Sequence, residues 1–309
     1  MRRIEGRWLP SPRVVVVFGL IAVLAAGGVV LGARSISLRV SGVTRSTSCP
    51  DVLVLGAAGS GERVGTTAAH FDGVGPEVQS VWERISAQLK ARGINSTLWA
   101  DPYLASSVTM LAPTFEEMTL LFSHSTIKDA VRNWVKAQLD SYTRSVEQGA
   151  TQFDDEVISV AERCPSTMMV AVGYSQGAMA VHSGEEVLAK MGSTPLGEVR
   201  ATILIGDGLE VANSGIREFG SASTIAEGVA TFSFLNLTHQ RSLVHNVPRP
   251  KMTAEVCNRG DIVCNFSLGT FVRVLSSIRV HTSYVSFSNG HEVATKPLIS
   301  AADWAASQV

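Results

Sequence analysis

The sequence predicts an α/β protein with a central parallel sheet flanked by helices on both faces, and three observations predict it. Short apolar runs of strand length alternate along the chain with stretches of helical period. The early order strand, helix, strand calls for crossover connections, which pair strands in parallel. The third observation is the stretch TMMVAVGYSQGAMAVHS, residues 167–183, which passes from a buried-strand pattern into a helix through Gly-Tyr-Ser-Gln-Gly. A chain of 309 residues, 45% hydrophobic and 17% charged, is long enough for one large domain with appendages.

The elements follow in order. Arg2, Arg3, Arg7 and Arg13 precede an uncharged apolar run over residues 14–33, closed by Arg34. This is export-signal architecture, and the run approaches the roughly 20 residues that cross a bilayer as a helix. Residues 1–34 are therefore expected to form a signal anchor, or a signal peptide if cleaved, with the basic end in the cytoplasm and the body outside. Residues 35–48 read as a polar spacer, and the folded domain is expected over 49–309. Residues 52–55 read as a strand running into the loop GAAGSGE, 56–62. Val78, Val81, Trp82, Ile85 and Leu89 share one helix face that stops at Gly93, and STLWADPY reads as the next strand.

Residues 110–141 hold an apolar stretch and then an amphipathic helix over 127–139; they suit a lid-like insertion or a pair of core helices equally. Phe153, Val157, Val160 and Ala161 mark a helix ending near Arg163, which Cys164-Pro165 breaks. Residues 168–172 are then a buried strand, 176–190 a helix and 201–205 another strand, whereas 209–247 reads as loops with short elements. No internal repeat is evident.

Ser175 sits at the turn between strand and helix. Gly173 and Gly177 on either side remove the Cβ atoms that would collide as the two elements close, which would leave the hydroxyl exposed above the sheet edge. The amide of Gln176 opens the helix, so a free N–H and a partial positive charge lie where an oxyanion would form. Serine is a weak nucleophile alone; it needs a histidine to take its proton and an acid to orient that histidine. In the order Ser, Asp/Glu, His, the candidates are Asp261 and His281. Asp207, just past a strand end, is a rival acid, and His291 a rival base. His182 lies too far along the helix, and His239 and His245 precede Asp261. The loop 56–62 is placed to give the second oxyanion N–H, with the Ser60 hydroxyl as a further donor.

Other chemistries are disfavoured. A net charge of −1 gives no electrostatic footprint for nucleic acid. The glycine loop lacks the Gly-Lys-Ser/Thr of a phosphate-binding loop. The four cysteines, Cys49, Cys164, Cys257 and Cys264, lack zinc-site spacing; they suit disulfides in an oxidising compartment, Cys257 with Cys264 locally and Cys49 with Cys164. No metal or organic cofactor is required, and a monomer is expected.

Several short motifs together resemble the cutinases and the cutinase-like serine esterases of actinobacteria. They are Cys49-Pro50-Asp51-Val52, Gly59-Ser60-Gly61-Glu62, Cys164-Pro165, GYSQG itself, GDIVC at 260–264 and HTSY at 281–284. The resemblance implies an α/β-hydrolase fold, a Ser175, Asp261, His281 triad, an oxyanion hole at Ser60 and Gln176, and the same two disulfides. It favours His281 over His291 through the H-x-x-Y setting. It also implies an acyl ester or lipid substrate, and its membrane-tethered members are described as phospholipases or thioesterases of the cell envelope. Departures are Ala58, where the family usually has arginine, and apparent insertions at 110–141 and within 209–247, which would partly cover the pocket. Acyl transfer by the same triad and a non-catalytic envelope-binding module are the competing functions.

Overall fold

The structure is a computed structural model, and it describes residues 49–63, 69–107, 127–192, 194–231, 247–288 and 291–309. The expected N-terminal anchor and spacer, the first part of the lid-like segment, His239 and His245 lie outside the described residues. Among the described residues no helix is long and apolar enough to cross a membrane.

Six strands form one parallel sheet: β1 (Val52–Ala57), β2 (Ser96–Ala100), β3 (Met168–Tyr174), β4 (Val199–Ile205), β5 (Arg217–Gly220) and β6 (Thr253–Cys257). Their order across the sheet is β2-β1-β3-β4-β6-β5. β1, β3 and β4 fill the centre and are buried nearly throughout, as strands covered on both faces must be.

Alternation along β1 divides the core between two layers. Val52 and Val54 point to one face, where they pack with Val78, Val81, Ile85 and Leu89 of α1 (Gly75–Ala91) and with Leu298, Ala301 and Ala305 of α6 (Lys296–Ala306). Leu53 and Leu55 point to the other, against Phe153 and Val157 of α2 (Ile127–Arg163) and Val181 and Leu188 of α3 (Gln176–Lys190). Each such apolar side chain contributes about 1.5–3 kcal/mol when fully buried, so strand alternation and helix period together fix the layering. This is the α/β-hydrolase arrangement that the sequence predicts.

One feature differs from the sequence reading, and one short element is now defined. The helix expected over 127–139 and the one ending near Arg163 are a single continuous helix, α2. No proline or glycine pair interrupts it before Cys164-Pro165, and Gly149 is tolerated because a Cβ there would come within 2.8 Å of the Ala180 side chain on α3. Among the short elements expected within 209–247 is β5, an exposed edge strand too short and too polar to show as an apolar run. Beyond β6 come α4 (Leu268–Val272), α5 (Val274–His281) and an antiparallel hairpin, β7 (Val285–Ser288) with β8 (His291–Ala294).

Both expected disulfides are present. Cys49–Cys164 ties the chain before β1 to the end of α2, and Cys257–Cys264 closes the loop after β6. Such bonds belong to an oxidising, extracytoplasmic compartment.

Candidate active site

Ser175 is the single residue between the last position of β3 and the first of α3. Its backbone lies at φ 53°, ψ −113°, a conformation that costs a non-glycine residue about 1–3 kcal/mol. The surroundings hold it there. A Cβ at Gly177 would stand 2.1 Å from the Ala57 carbonyl oxygen, and one at Gly173 would stand 2.4 Å from the Gly177 carbonyl. Only glycine lets β1, β3 and α3 approach this closely. The Ser175 amide donates to the Ile205 carbonyl at 2.8 Å, pinning the elbow to the end of β4.

His281, the last residue of α5, reaches this point from a separate part of the chain. Its Nε2 lies 2.9 Å from Ser175 Oγ, and its Nδ1 lies 2.9 and 3.0 Å from the two carboxylate oxygens of Asp261. With Nδ1–H donating to a carboxylate, the Nε2 lone pair faces the serine hydroxyl, which is the tautomer a general base needs. The ring stacks on Tyr174 at 5.2 Å between centroids, and the Tyr174 hydroxyl donates to the His281 carbonyl at 3.0 Å. On the other side Gly206, at φ +61°, leaves the space: a Cβ there would be 2.9 Å from His281 Cε1.

Asp261 is completely buried inside the Cys257–Cys264 loop. Burial alone would push its carboxyl up, but His281, the Tyr284 hydroxyl at 2.7 Å and the Val263 amide at 2.7 Å outweigh it and hold Asp261 below the usual range. It is therefore ionised at neutral pH and able to stabilise an imidazolium. Tyr284 in turn accepts from the Asn258 amide at 3.2 Å, so the hydroxyl at the end of the HTSY motif is locked in place.

The rival residues are placed elsewhere. Asp207 lies 2.6 Å from Nδ1 of His182, a residue of α3, and both side chains are buried. Burial would lower His182, but the Asp207 carboxylate outweighs it and raises it. The side chain of His291 lies outside the described residues. Among the described residues Glu255, Cys257 and Cys264 bring three potential metal-ligand atoms together, but the two sulfurs are already joined in a disulfide.

The loop between β1 and α1 lies beside the elbow. Gly61 N–H donates to the Ala105 carbonyl at 2.7 Å, and Tyr103 donates its hydroxyl to the Ala58 carbonyl. Ser60 Oγ, buried beside the Tyr142 hydroxyl, has no well-formed hydrogen bond. Gln176 is fully buried, its side chain fixed by Ser145 Oγ at 3.3 Å, and its main-chain N–H belongs to the first turn of α3, where amides have no partner within the helix. Two acids of this region were given no role by the sequence: Glu62, the last residue of the Gly59-Ser60-Gly61-Glu62 motif, whose carboxylate accepts from the Gly59 amide at 2.5 Å, and Glu77 in the first turn of α1. A carboxyl three residues from its own bonding partner is a loop signature that could have flagged Glu62. Nothing local marks Glu77 as its neighbour.

A strained serine between strand and helix, in a hydrogen-bonded line with a histidine and a buried carboxylate, narrows the comparison with known proteins. The sequence model of the cutinase family matches residues 107–295, the greater part of the chain. The chain belongs to the cutinase family. It is 26% identical over 202 residues to a carboxylesterase Culp6 homologue of Corynebacterium glutamicum, covering 62% of this chain and 54% of that protein. The chain thus spans about half the length of the curated relative it matches. Similar solved structures include a cutinase-like protein from Cryptococcus sp., with 19% identity, a TM-score of 0.44 and coverage of 77% of this chain and 93% of that one. An acetylxylan esterase gives 21% identity, a TM-score of 0.47 and coverage of 84% and 97%.

Proposed function

We propose that this cutinase-family protein is an exported serine esterase that hydrolyses acyl esters, lipid esters foremost, through an acyl-enzyme. The observation that carries the reading is the continuous line Ser175 Oγ, His281 Nε2, His281 Nδ1, Asp261, with contacts of 2.9 Å at each step. Ser175 Oγ attacks the acyl carbon while its proton passes to His281 Nε2; Asp261 stabilises the resulting imidazolium. The tetrahedral oxyanion is held by main-chain N–H groups at Ser60 and Gln176, with the Ser60 hydroxyl as a third donor. Collapse expels the alcohol, which takes the proton from His281. Water then repeats the sequence on the acyl-enzyme, releasing the carboxylic acid and restoring Ser175.

The name of the Corynebacterium glutamicum relative, a carboxylesterase, supports ester hydrolysis. Two disulfides support a site outside the cytoplasm. The apolar run 14–33 between arginines supports tethering to the outer face of a membrane, where lipid esters are the nearest substrates. The test is hydrolysis of p-nitrophenyl esters from short to long acyl chains by the detergent-solubilised full chain, with Ser175→Ala alongside. Turnover that falls at least a thousandfold in the variant and favours long chains supports the reading; turnover on short esters alone overturns the lipid assignment, and none at any length overturns the esterase.

A further inference from the structure

The region between β1 and α1 contains a second acidic arrangement that the triad does not use. The Glu62 carboxyl lies flat against the first residue of α1: a Cβ at Gly75, itself at φ +79°, would be 2.0 Å from Glu62 Oε2 and 2.3 Å from Cδ. From there it accepts the Gly59 amide, while the Glu62 amide donates back to the Gly59 carbonyl at 3.1 Å. Glu62 thus closes the turn that carries Ser60. Its carboxyl also meets that of Glu77. Glu77 is buried, and its Oε2 has no partner as long as both groups are treated as acceptors.

A buried carboxyl in contact with a half-buried one cannot share full ionisation with it cheaply, and a proton between them supplies the missing donor. The charged and titratable groups facing the pair are Tyr174 at the end of β3, Tyr103 beyond β2, His281 of α5 and Glu292 of β8. The loop's own cation, Arg63, turns instead to the Gly73 carbonyl at 2.9 Å and towards Asp101. Of these only His281 favours a second negative charge, through Glu77, and its Nδ1 is already paired with Asp261.

We propose that Glu62 and Glu77 are positioning residues that hold the 58–63 loop as a carboxylic acid and carboxylate sharing one proton, and that the oxyanion site at Ser60 stays assembled only while that proton is retained. This deepens the esterase reading and rests on it. Burial, and then the neighbouring carboxyl, push Glu62 well up, and burial takes Glu77 to about 7. The pair therefore loses its proton as pH rises to or beyond about 7, and kcat falls there on the alkaline side.

The experiment is the pH profile of kcat and KM for the full chain with a soluble p-nitrophenyl ester, for wild type, Glu62→Ala, Glu62→Gln and Glu77→Gln. Glu62→Ala lowers kcat about 10- to 100-fold with KM changed far less, because the loop loses its clamp. Glu62→Gln restores most of that loss, since its amide oxygen can accept from Gly59 and its NH₂ can donate to Glu77. Either Gln variant also abolishes the alkaline limb. An infrared difference between wild type and each Gln variant shows the band of a protonated carboxylic acid at pH 6 that disappears on raising pH. An alkaline limb unchanged in both Gln variants, or a missing infrared difference, overturns the proposal. Esterase turnover surviving in Ser175→Ala overturns the function instead, and the infrared measurement still decides the carboxyl pair.

Discussion

Gly206→Ala tests whether the position of His281, rather than its mere presence, sets the rate. The added methyl would lie 2.9 Å from His281 Cε1, 3.1 Å from Nδ1 and 3.5 Å from Asp261 Oδ2. Carbon atoms rest at about 3.5–4.0 Å, so the ring must retreat by roughly 0.6–1 Å. Tyr174 stacks on one ring face and Asp261 is walled in by the disulfide loop, so the ring cannot retreat along its hydrogen bonds without lengthening one. A misplacement of about 1 Å can cost on the order of 100-fold in rate. The expected result is a 10- to 100-fold fall in kcat with KM little changed. Alanine at φ +61° adds a strain of roughly 1–2 kcal/mol, which lowers Tm by about 2–8 °C in a domain of this size. Steady-state kinetics and a thermal melt read both quantities. Wild-type kcat in a folded Gly206→Ala protein would refute the reasoning.

Tyr284→Phe removes the 2.7 Å donor to Asp261 and leaves the Asn258 amide without its 3.2 Å acceptor; a loss of about 1–3 kcal/mol in urea unfolding and a several-fold fall in kcat are expected. Replacing both Cys257 and Cys264 by alanine, across a separation of 7, should cost about 2 kcal/mol, and replacing Cys49 and Cys164, across 115, about 5 kcal/mol. Activity of the remaining folded protein should nonetheless suffer more from the first pair, because Asp261 sits inside that loop. Stability should decline from about pH 5 to pH 8. Burial raises Glu77 and Asp101 to about 7 and Asp154 and Glu210 to about 8, so the folded state holds protons the unfolded chain releases, and this stability is lost as pH rises through those values. Asp261, held low, acts oppositely and only at acid pH, its contribution being lost as pH falls through its folded value. Tm measured against pH would contradict this if it rose steadily to pH 8.

The central layers were legible because the physics that forms them is local. Val170, Ala171 and Val172 leave no polar face for a helix, and Val78, Val81, Ile85 and Leu89 repeat at helical spacing, so strand and helix each announce themselves. β5 did not, since Arg217 and Glu218 on an exposed edge carry no burial signal. The length of α2 was hidden by polar turns between its two apolar faces. At the site, strand-turn-helix spacing singled out Ser175, but spacing alone could not separate Asp261 from Asp207, for each follows a strand. Their difference lies in tertiary contacts: Asp207 meets His182 of α3, whereas the disulfide loop carries Asp261 to His281. Glu62 with Glu77 and the space left by Gly206 are likewise contacts between distant segments.

The central claim is that Ser175 is the nucleophile, and covalent trapping addresses it most directly. The full chain is treated with an alkyl phosphonate ester, digested and mapped by mass spectrometry while esterase turnover is followed. A single adduct on Ser175, formed in step with the loss of turnover and absent from Ser175→Ala and strongly slowed in His281→Ala, is the predicted result. An adduct on another serine that tracks the loss of turnover, or undiminished turnover in Ser175→Ala, would contradict the account.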